Sequence, residues 1–195
     1  YHWIMDVQID PDTNFATQAA LYVKRLCRRA VLRGASTSKC PVFGCVSKPS
    51  MTLGSYCRKL CELTTYSHDT FVLAVVLIQR LYKAAPHVFG EFSEHRILGT
   101  AFVVAAKFAT DVPKTNSFFA GCLGTTLSEM NEMEYRFLAL IQFAAFVSPL
   151  QFHRAAVHLM GIGATNNHPN SLWARSPFAC TPTPKHTPEN TTTSK

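Results

Sequence analysis

The sequence is poor in charge and contains no long apolar run. Of its 195 residues, 16% are charged and 47% are hydrophobic, which excludes a wholly disordered chain and leaves ample material for one core. The longest apolar run, from Phe71 to Ile78, is far shorter than the roughly 18–20 residues of a membrane span. The 9 glycines and 11 prolines are too few for a collagen-like or low-complexity chain. We therefore expect one globular domain with appendages and no membrane partner.

Acidic residues are scarce in the first third of the chain. Between residues 13 and 61 there is no Asp or Glu, whereas nine side chains are basic. Such a block could bind phosphate or an acidic partner surface. Aromatic residues are not interleaved with these charges, as they are in single-strand binding grooves, so a solvated helix face is the preferred interpretation. The nine residues are Lys24, Arg25, Arg28, Arg29, Arg33, Lys39, Lys48, Arg58 and Lys59.

Nothing at the start of the chain resembles a secretory signal, because no basic segment precedes an apolar one. The 7 cysteines are odd in number and lie mostly in apolar periodic segments, which is typical of reduced thiols rather than a disulfide framework. We therefore expect a protein of the nucleus and cytoplasm. Since the first residue is Tyr1 and not Met, we also expect a fragment of a longer protein.

Apolar residues recur at helical spacing throughout, and no strand pattern competes, so an all-α fold is predicted. Residues 1–48 are predicted to form a flanking helix, over 13–33, and a linker, which begins at residue 35 and extends to residue 50. Residues 49–162 are predicted to form the main domain, and residues 163–195, rich in Thr, Pro and Asn, a flexible tail. The helices predicted in the main domain cover residues 52–65, 69–84, 93–110, 116–123, 127–142 and 148–161.

Several residues indicate where helices begin and end. Gly34 and Gly124 are expected in the left-handed conformation that follows a helix. Ser93 is expected to cap a helix N-terminus, and Thr126 with Glu129 to form a capping box. The flanking helix carries an apolar stripe that needs a cover, so it is predicted to pack on the main domain with its basic face exposed.

The residues that catalyse reactions or bind metals do not combine into a site. His153 and His158 lie on different faces of one helix, and Cys57 and Cys61 share a face without a second ligand pair. We predict no enzymatic activity, no catalytic residue, no cofactor and no metal.

Two charged residues lie on otherwise apolar helix faces, where a charge is costly unless it is paired. Lys107 ends the segment Val103-Val-Ala-Ala-Lys107, and Glu134 lies within Met133-Glu-Tyr. Composition alone favours a lysine that extends to solvent and a solvated glutamate.

Four segments together resemble the cyclin box, and more narrowly the P/U-type cyclins, a group that comprises the yeast phosphate-response cyclins and their protozoan, especially trypanosomatid, relatives. The resemblance covers about residues 49–160, and its combined pattern is specific. The segments are Phe92-Ser-Glu-His-Arg-Ile-Leu98, Val104-Ala-Ala-Lys-Phe108, Asn116-Ser-Phe-Phe-Ala120 and Glu129-Met-Asn-Glu-Met-Glu-Tyr-Arg-Phe-Leu138.

This resemblance implies a single five-helix cyclin box with flanking N- and C-terminal helices. It also implies a partner, the catalytic subunit of a cyclin-dependent kinase, which such a box binds and activates. Lys107 and Glu134 match the family's Lys and Glu that hydrogen-bond to the kinase around its regulatory helix. Apolar contacts of the same surface would fall on Phe108, Leu138 and Phe143. We expect the chain to be a monomer when unbound.

The sequence departs from the wider family in three ways. Gln79 precedes Arg80 where many cyclins carry an Asp, the helix motif that docks Arg-x-Leu peptides is not visible, and a second cyclin repeat is absent, as in the single-box type. The alternative function is a nucleic-acid or promoter-binding factor of the same fold, suggested by the basic residues from Lys24 to Lys59. The single repeat and the retained Lys107 and Glu134 argue against it, so a nucleic-acid partner is not expected.

Overall fold

A computed structural model describes residues 14–34 and 42–164, with side chains as far as Gly161. In this part of the chain there are seven α-helices, a 3-10 helix at Pro86–Val88 and no strand, which confirms the all-α prediction. The helices are α1 (Phe15–Leu32), α2 (Leu53–Thr64), α3 (Asp69–Ala84), α4 (Glu94–Phe108), α5 (Asn116–Leu123), α6 (Leu127–Leu140) and α7 (Pro149–Ala164).

The helix bounds agree closely with those predicted. The bounds of α3 and α5 and the start of α6 are as predicted, and the other ends differ by one to three residues. The largest difference is at α7, which continues past Gly161 to Ala164. The tail predicted for residues 163–195 lies outside the described residues from 165 onward.

Helix α3 occupies the centre of the molecule. Every residue from Thr70 to Ile78 is buried, because α1, α4, α6 and α7 all pack against this helix. The Phe71 ring lies 4.8 Å from that of Phe102 in α4, measured between centroids. A helix that is apolar all round is stable only when other helices enclose it, and α3 is enclosed in this way. None of the described helices is long and apolar enough to cross a bilayer.

Helix α1 is part of the core. Asn14 caps its N-terminus by accepting a hydrogen bond from the Thr17 amide at 2.9 Å, and Gly34 follows it with φ of +81°. Its apolar face, which includes Phe15 and Leu26, is buried against α2, α3, α4 and α7. Its four basic residues are exposed, namely Lys24, Arg25, Arg28 and Arg29. This confirms that the helix packs on the main domain with its basic face in solvent.

The predicted capping roles are confirmed at α5 and α6 but not at α4, where only the position of the helix start agrees. Gly124 takes the left-handed conformation, and Thr126 and Glu129 form the reciprocal capping box. Ser93, however, does not cap α4. Its hydroxyl is fully buried, donates to the Gly90 carbonyl oxygen and accepts from the Gly90 amide, each at 2.9 Å. Tertiary packing turns this side chain inward, because the turn before α4 has a buried amide to satisfy.

The connection between α1 and α2 is anchored to the core where it is described. Phe43 is completely buried, although it lies in the segment predicted as a linker. Arg96 of α4 donates to the Val42 carbonyl oxygen at 3.1 Å. The chain therefore returns to the core before α2 begins, and these two contacts fix the end of the connection on the core that α1 and α2 share.

Candidate functional site

Lys107 and Glu134 form an ion pair between α4 and α6. Lys107 lies in the last turn of α4, and its Nζ donates to Glu134 Oε1 at 2.6 Å. The side chains are 26% and 16% exposed, so both are largely buried but still accessible to a partner at the surface. The pairing explains why two charges are tolerated on apolar helix faces, since each offsets the desolvation cost of the other. The expectation of a separately solvated lysine and glutamate, drawn from composition alone, is wrong.

The local sequence places both charges at the edge of the α4–α6 contact. In α4, all residues from Ile97 to Ala106 are buried, so Lys107 is the first side chain at that end to reach the surface. In α6, Met130, Met133 and Phe137 face the core, and Glu134 lies beside Met133 at the border of this face. A charge at such a border keeps access to solvent and to a partner.

A third polar residue completes the pair. Asn116, the first residue of α5, donates from Nδ2 to Glu134 Oε2 at 2.6 Å. The same nitrogen donates to Asn131 Oδ1 at 2.8 Å. The two oxygens of the Glu134 carboxylate are thus bonded to different helices. No sequence pattern assigned a role to Asn116, although the residue belongs to one of the four segments that carry the resemblance.

Apolar side chains lie on the same two helices as the ion pair and on the turn that follows α6. Phe108 follows Lys107 directly, and Leu138 lies one turn after Glu134, where it packs partly against the core. Phe143 is 63% exposed. Phe146, which no sequence pattern singled out, is 66% exposed, and its ring meets that of Phe108 edge-on with centroids 6.4 Å apart. The sequence signal that could have indicated an exposed aromatic residue here is the segment Phe143-Ala-Ala-Phe146. Its two Phe residues follow a helix but do not continue the spacing of that helix's buried residues.

The turn between α6 and α7 presents these aromatic side chains with a strained backbone. Gln142 and Phe143 both have φ of +55°, a region that non-glycine residues rarely adopt. The Phe143 amide donates to the Leu138 carbonyl oxygen at 2.8 Å, and the Gln142 amide donates to that of Ala139 at 3.0 Å. Backbone strain that persists beside an exposed aromatic residue suggests a functional position.

The family of the chain follows from a match to known proteins. The family model described as Cyclin matches residues 6–145, which include α1 to α6. The chain belongs to the cyclin family. Similar curated proteins include plant cyclins of the U and P types, as expected of a P/U-type cyclin box.

Three relatives show the extent of the similarity. Cyclin-U2-2 of Arabidopsis thaliana is 30% identical over 137 residues, which cover 70% of this chain and 60% of the relative. Cyclin-U4-1 of the same plant is 34% identical over 113 residues, or 57% of this chain and 56% of the relative. Cyclin-P4-1 of Oryza sativa subsp. japonica is 30% identical over 120 residues, or 61% and 57%. The cyclin chain therefore spans less than two thirds of the length of these relatives.

A second ion pair lies at the start of α6 in this cyclin. Arg96 Nη2 donates to Glu129 Oε1 at 2.7 Å, while Glu129 also completes the capping box with Thr126. Hydrogen bonds lower the pKa of Glu129 to about 2, first from the Thr126 amide, then from Arg96, and then from the hydroxyls of Thr125 and Thr126. This pair joins α4 to α6 in the first turn of α6, five residues before Glu134.

The described part of the cyclin chain has no cluster of three or more His, Cys, Asp or Glu residues that could hold a metal. Burial raises the pKa of the Cys27 and Cys57 thiols to about 12, which leaves them protonated and poorly nucleophilic at neutral pH. The region of Lys107 and Glu134 offers hydrogen-bonding groups, and the turn after α6 adds exposed aromatic side chains. Such a surface suits recognition of another protein.

Proposed function

We propose that this chain is the regulatory subunit of a cyclin-dependent kinase, which it binds and activates through the surface around Lys107 and Glu134. Membership of the cyclin family supports a regulatory role. The chain would supply no catalytic group, because the reaction would be carried out by the kinase. We also propose that the chain is a monomer when unbound and acts in the nucleus and cytoplasm.

The observation that carries this proposal is the combination of a half-buried ion pair between α4 and α6 with exposed aromatic residues on the turn that follows α6. The ammonium group of Lys107 has three N–H donors and uses one of them on Glu134, so it has capacity for a partner's carbonyl or carboxylate oxygen. Phe143 and Phe146 are 63% and 66% exposed on the turn after α6, and the Phe146 ring contacts that of Phe108, the residue after Lys107. A polar centre with aromatic anchors is the arrangement in which a few residues contribute most of the binding energy.

The proposed mechanism is a population shift in the kinase. Its mobile regulatory helix would lie against α4 and α6, with Phe108 and Leu138 beneath it and the Lys107–Glu134 pair bonded to its backbone. Protein kinases are active only when that helix supplies the glutamate that pairs with the ATP-binding lysine. A cyclin that binds only this arrangement shifts the equilibrium toward the active kinase.

The test begins with a pull-down of the tagged chain from its source cells, mass spectrometry of the bound proteins and a histone kinase assay on the eluate. The recovered kinase is then purified, and its affinity for Lys107→Ala and Glu134→Ala variants is measured. Removing one partner of a half-buried charge pair costs about 2–5 kcal/mol, so we expect an affinity loss of about 30-fold to several thousand-fold.

Glu132→Ala is the matched control. Glu132 also lies on α6 and also forms an ion pair, with Arg136 Nε at 2.8 Å, but its side chain is 49% exposed and lies on another face of the helix. We expect its affinity to equal that of the parent. If Lys107→Ala and Glu134→Ala bind the kinase as tightly as Glu132→Ala does, the proposed binding surface is wrong.

A promoter-binding role predicts a different result. A protein that makes 6–10 phosphate contacts loses about 10³–10⁵ in DNA affinity between 50 and 200 mM salt. Recovery of DNA-bound complexes with this salt dependence, together with no kinase in the eluate, would replace the kinase proposal.

A further inference from the structure

We propose that Asn116 is a positioning residue that presets the Glu134 carboxylate for kinase binding, an inference that rests on the proposed function. Glu134 lies on α6, and a free glutamate side chain has three rotatable bonds with which to reorient. Here its Oε1 accepts from Lys107 of α4 at 2.6 Å, and its Oε2 accepts from Asn116 of α5 at 2.6 Å. Two donors on two other helices define the plane of the carboxylate before any partner arrives.

The orientation of the Asn116 amide is itself determined by its neighbours. One Nδ2 hydrogen is directed to Glu134, and the other to Asn131 Oδ1 at 2.8 Å. If the amide were reversed, its oxygen would face two other acceptors, the Glu134 carboxylate and the Asn131 side-chain oxygen. Only one orientation of the amide is therefore compatible with both neighbours.

This orientation of the Asn116 amide leaves its oxygen in an unfavourable environment. Asn116 Oδ1 is buried and has no hydrogen-bond partner among the described residues. A buried acceptor without a partner destabilises the fold, and such groups in native proteins call for an explanation. The explanation that fits the geometry is that the Asn116 amide holds the Glu134 carboxylate in place. The carboxylate then keeps its remaining lone pairs available to a partner.

The consequence for binding is a smaller ordering cost. A carboxylate that is already oriented loses little conformational freedom when the kinase docks, so more of the interaction energy appears as affinity. Asn116 itself need not touch the kinase. Its contribution passes through Glu134, and this is the property that an experiment can isolate.

The test is a double-mutant cycle on the full chain, measured with the kinase catalytic subunit purified from the pull-down. A hydrogen bond to a charged group corresponds to about 10- to 100-fold in affinity, so we expect Asn116→Ala to weaken binding by this factor. In the Glu134→Gln background the same substitution should change the affinity by less than about twofold, because the carboxylate that Asn116 positions is absent. Ser117→Ala, an exposed substitution in the same helical turn, is the matched control and should bind as the parent does.

Combining Asn116→Asp with Glu134→Gln separates positioning from folding. The glutamine amide can donate to the new aspartate, so this double variant keeps the contact but moves the negative charge from α6 to α5. We expect thermal unfolding to return toward the parent value, relative to Asn116→Asp alone, where two carboxylates repel each other. Kinase affinity should remain at the low level of Glu134→Gln. Recovery of both stability and affinity would overturn the inference.

The remaining outcomes distinguish the two proposals. If Glu134→Gln weakens binding and Asn116→Ala does not, the inference is wrong while the proposed function stands. If Asn116→Ala weakens binding equally in both backgrounds, its role does not pass through Glu134, and the inference is again wrong. If Glu134→Gln binds like the parent, the proposed surface is wrong, and the inference that rests on it is overturned too.

Discussion

Arg80 of α3 donates from Nη2 to the side-chain oxygen of Gln151 in α7 at 3.0 Å, although the two residues are 71 positions apart. The same guanidinium donates to the carbonyl oxygen of Ala144. Gln151 also forms two hydrogen bonds with Ser148. Its side-chain Oε1 accepts from the backbone amide of Ser148 at 3.1 Å, and its backbone amide donates to the Ser148 hydroxyl at 3.3 Å. Arg80 thus holds both sides of the turn that presents Phe143 and Phe146.

Arg80→Leu is expected to loosen this turn. The substitution removes charge-assisted hydrogen bonds worth about 1.5–3 kcal/mol and leaves the Ala144 carbonyl oxygen without this donor. For a chain of this length the expected fall in Tm is about 3–10 °C. Hydrogen exchange should become faster at the amides of residues 142–147. Arg28→Leu, which changes an exposed arginine of α1, should alter neither measurement.

Phe143→Gly is expected to stabilise the free chain while weakening its binding to the kinase. A non-glycine residue in the left-handed region costs about 1–2 kcal/mol, which glycine avoids, and the added freedom of the unfolded chain offsets part of the gain. We expect Tm to rise by about 1–3 °C and the affinity for the kinase to fall by about tenfold or more.

Gln142→Gly provides the control for that substitution, because Gln142 has the same φ of +55° and no aromatic ring. It should raise Tm to a similar degree and leave kinase affinity unchanged. Equal affinities for both variants would show that the Phe143 ring does not contact the kinase.

Glu129 is expected to make stability depend on pH at the acid end. Its folded pKa of about 2 lies below its ordinary value of 4.5, so it stabilises the fold above about pH 4.5 and loses this contribution as the pH falls toward 2. Glu129→Gln preserves a capping side chain and removes the charge. Its Tm should lie about 1–3 °C below that of the parent at pH 7, as befits a partly exposed ion pair, and the two values should converge near pH 2. A constant difference from pH 7 to pH 2 would contradict this assignment.

Leu26→Asp tests whether α1 is required for the stability of the free chain. Leu26 is 4% exposed, and an unpaired carboxylate there should cost about 3 kcal/mol or more, which corresponds to a fall in Tm of roughly 6–12 °C. Leu21→Asp is the matched control on the same helix, since Leu21 is 41% exposed and should tolerate the charge. If Leu26→Asp melts as the parent does but binds the kinase less tightly, α1 belongs to the interface instead.

Most of the helices could be predicted because their signals are local. The stretch from Phe71 to Ile78 is apolar on every side, which predicts a helix enclosed by others, and α3 proves to be the central one. Thr126 and Glu129 are three residues apart, so their capping box can be recognised without knowledge of the fold. Local signals failed at Ser93. Its position before α4 is that of a capping residue, but its hydroxyl bonds to the buried Gly90 amide instead of to the helix.

The candidate site was predicted in part. Lys107 and Glu134 were found through resemblance, since composition alone favoured two separately solvated charges. Asn116 and Phe146 were missed, because their roles depend on neighbours that are distant in sequence, 18 residues for the Asn116–Glu134 bond. No periodicity or capping rule connects residues over such distances.

By itself the sequence determined which segments are helical, where most of them end and which faces are apolar, because these properties follow from the 3.6-residue period and from capping residues within one turn. Only the tertiary structure decided that Lys107, Asn116 and Glu134 meet and that Arg80 holds the turn carrying Phe143. These contacts join helices whose relative positions depend on how their apolar faces pack around α3. Packing of this kind is a property of all the helices together, and no single segment of the chain encodes it.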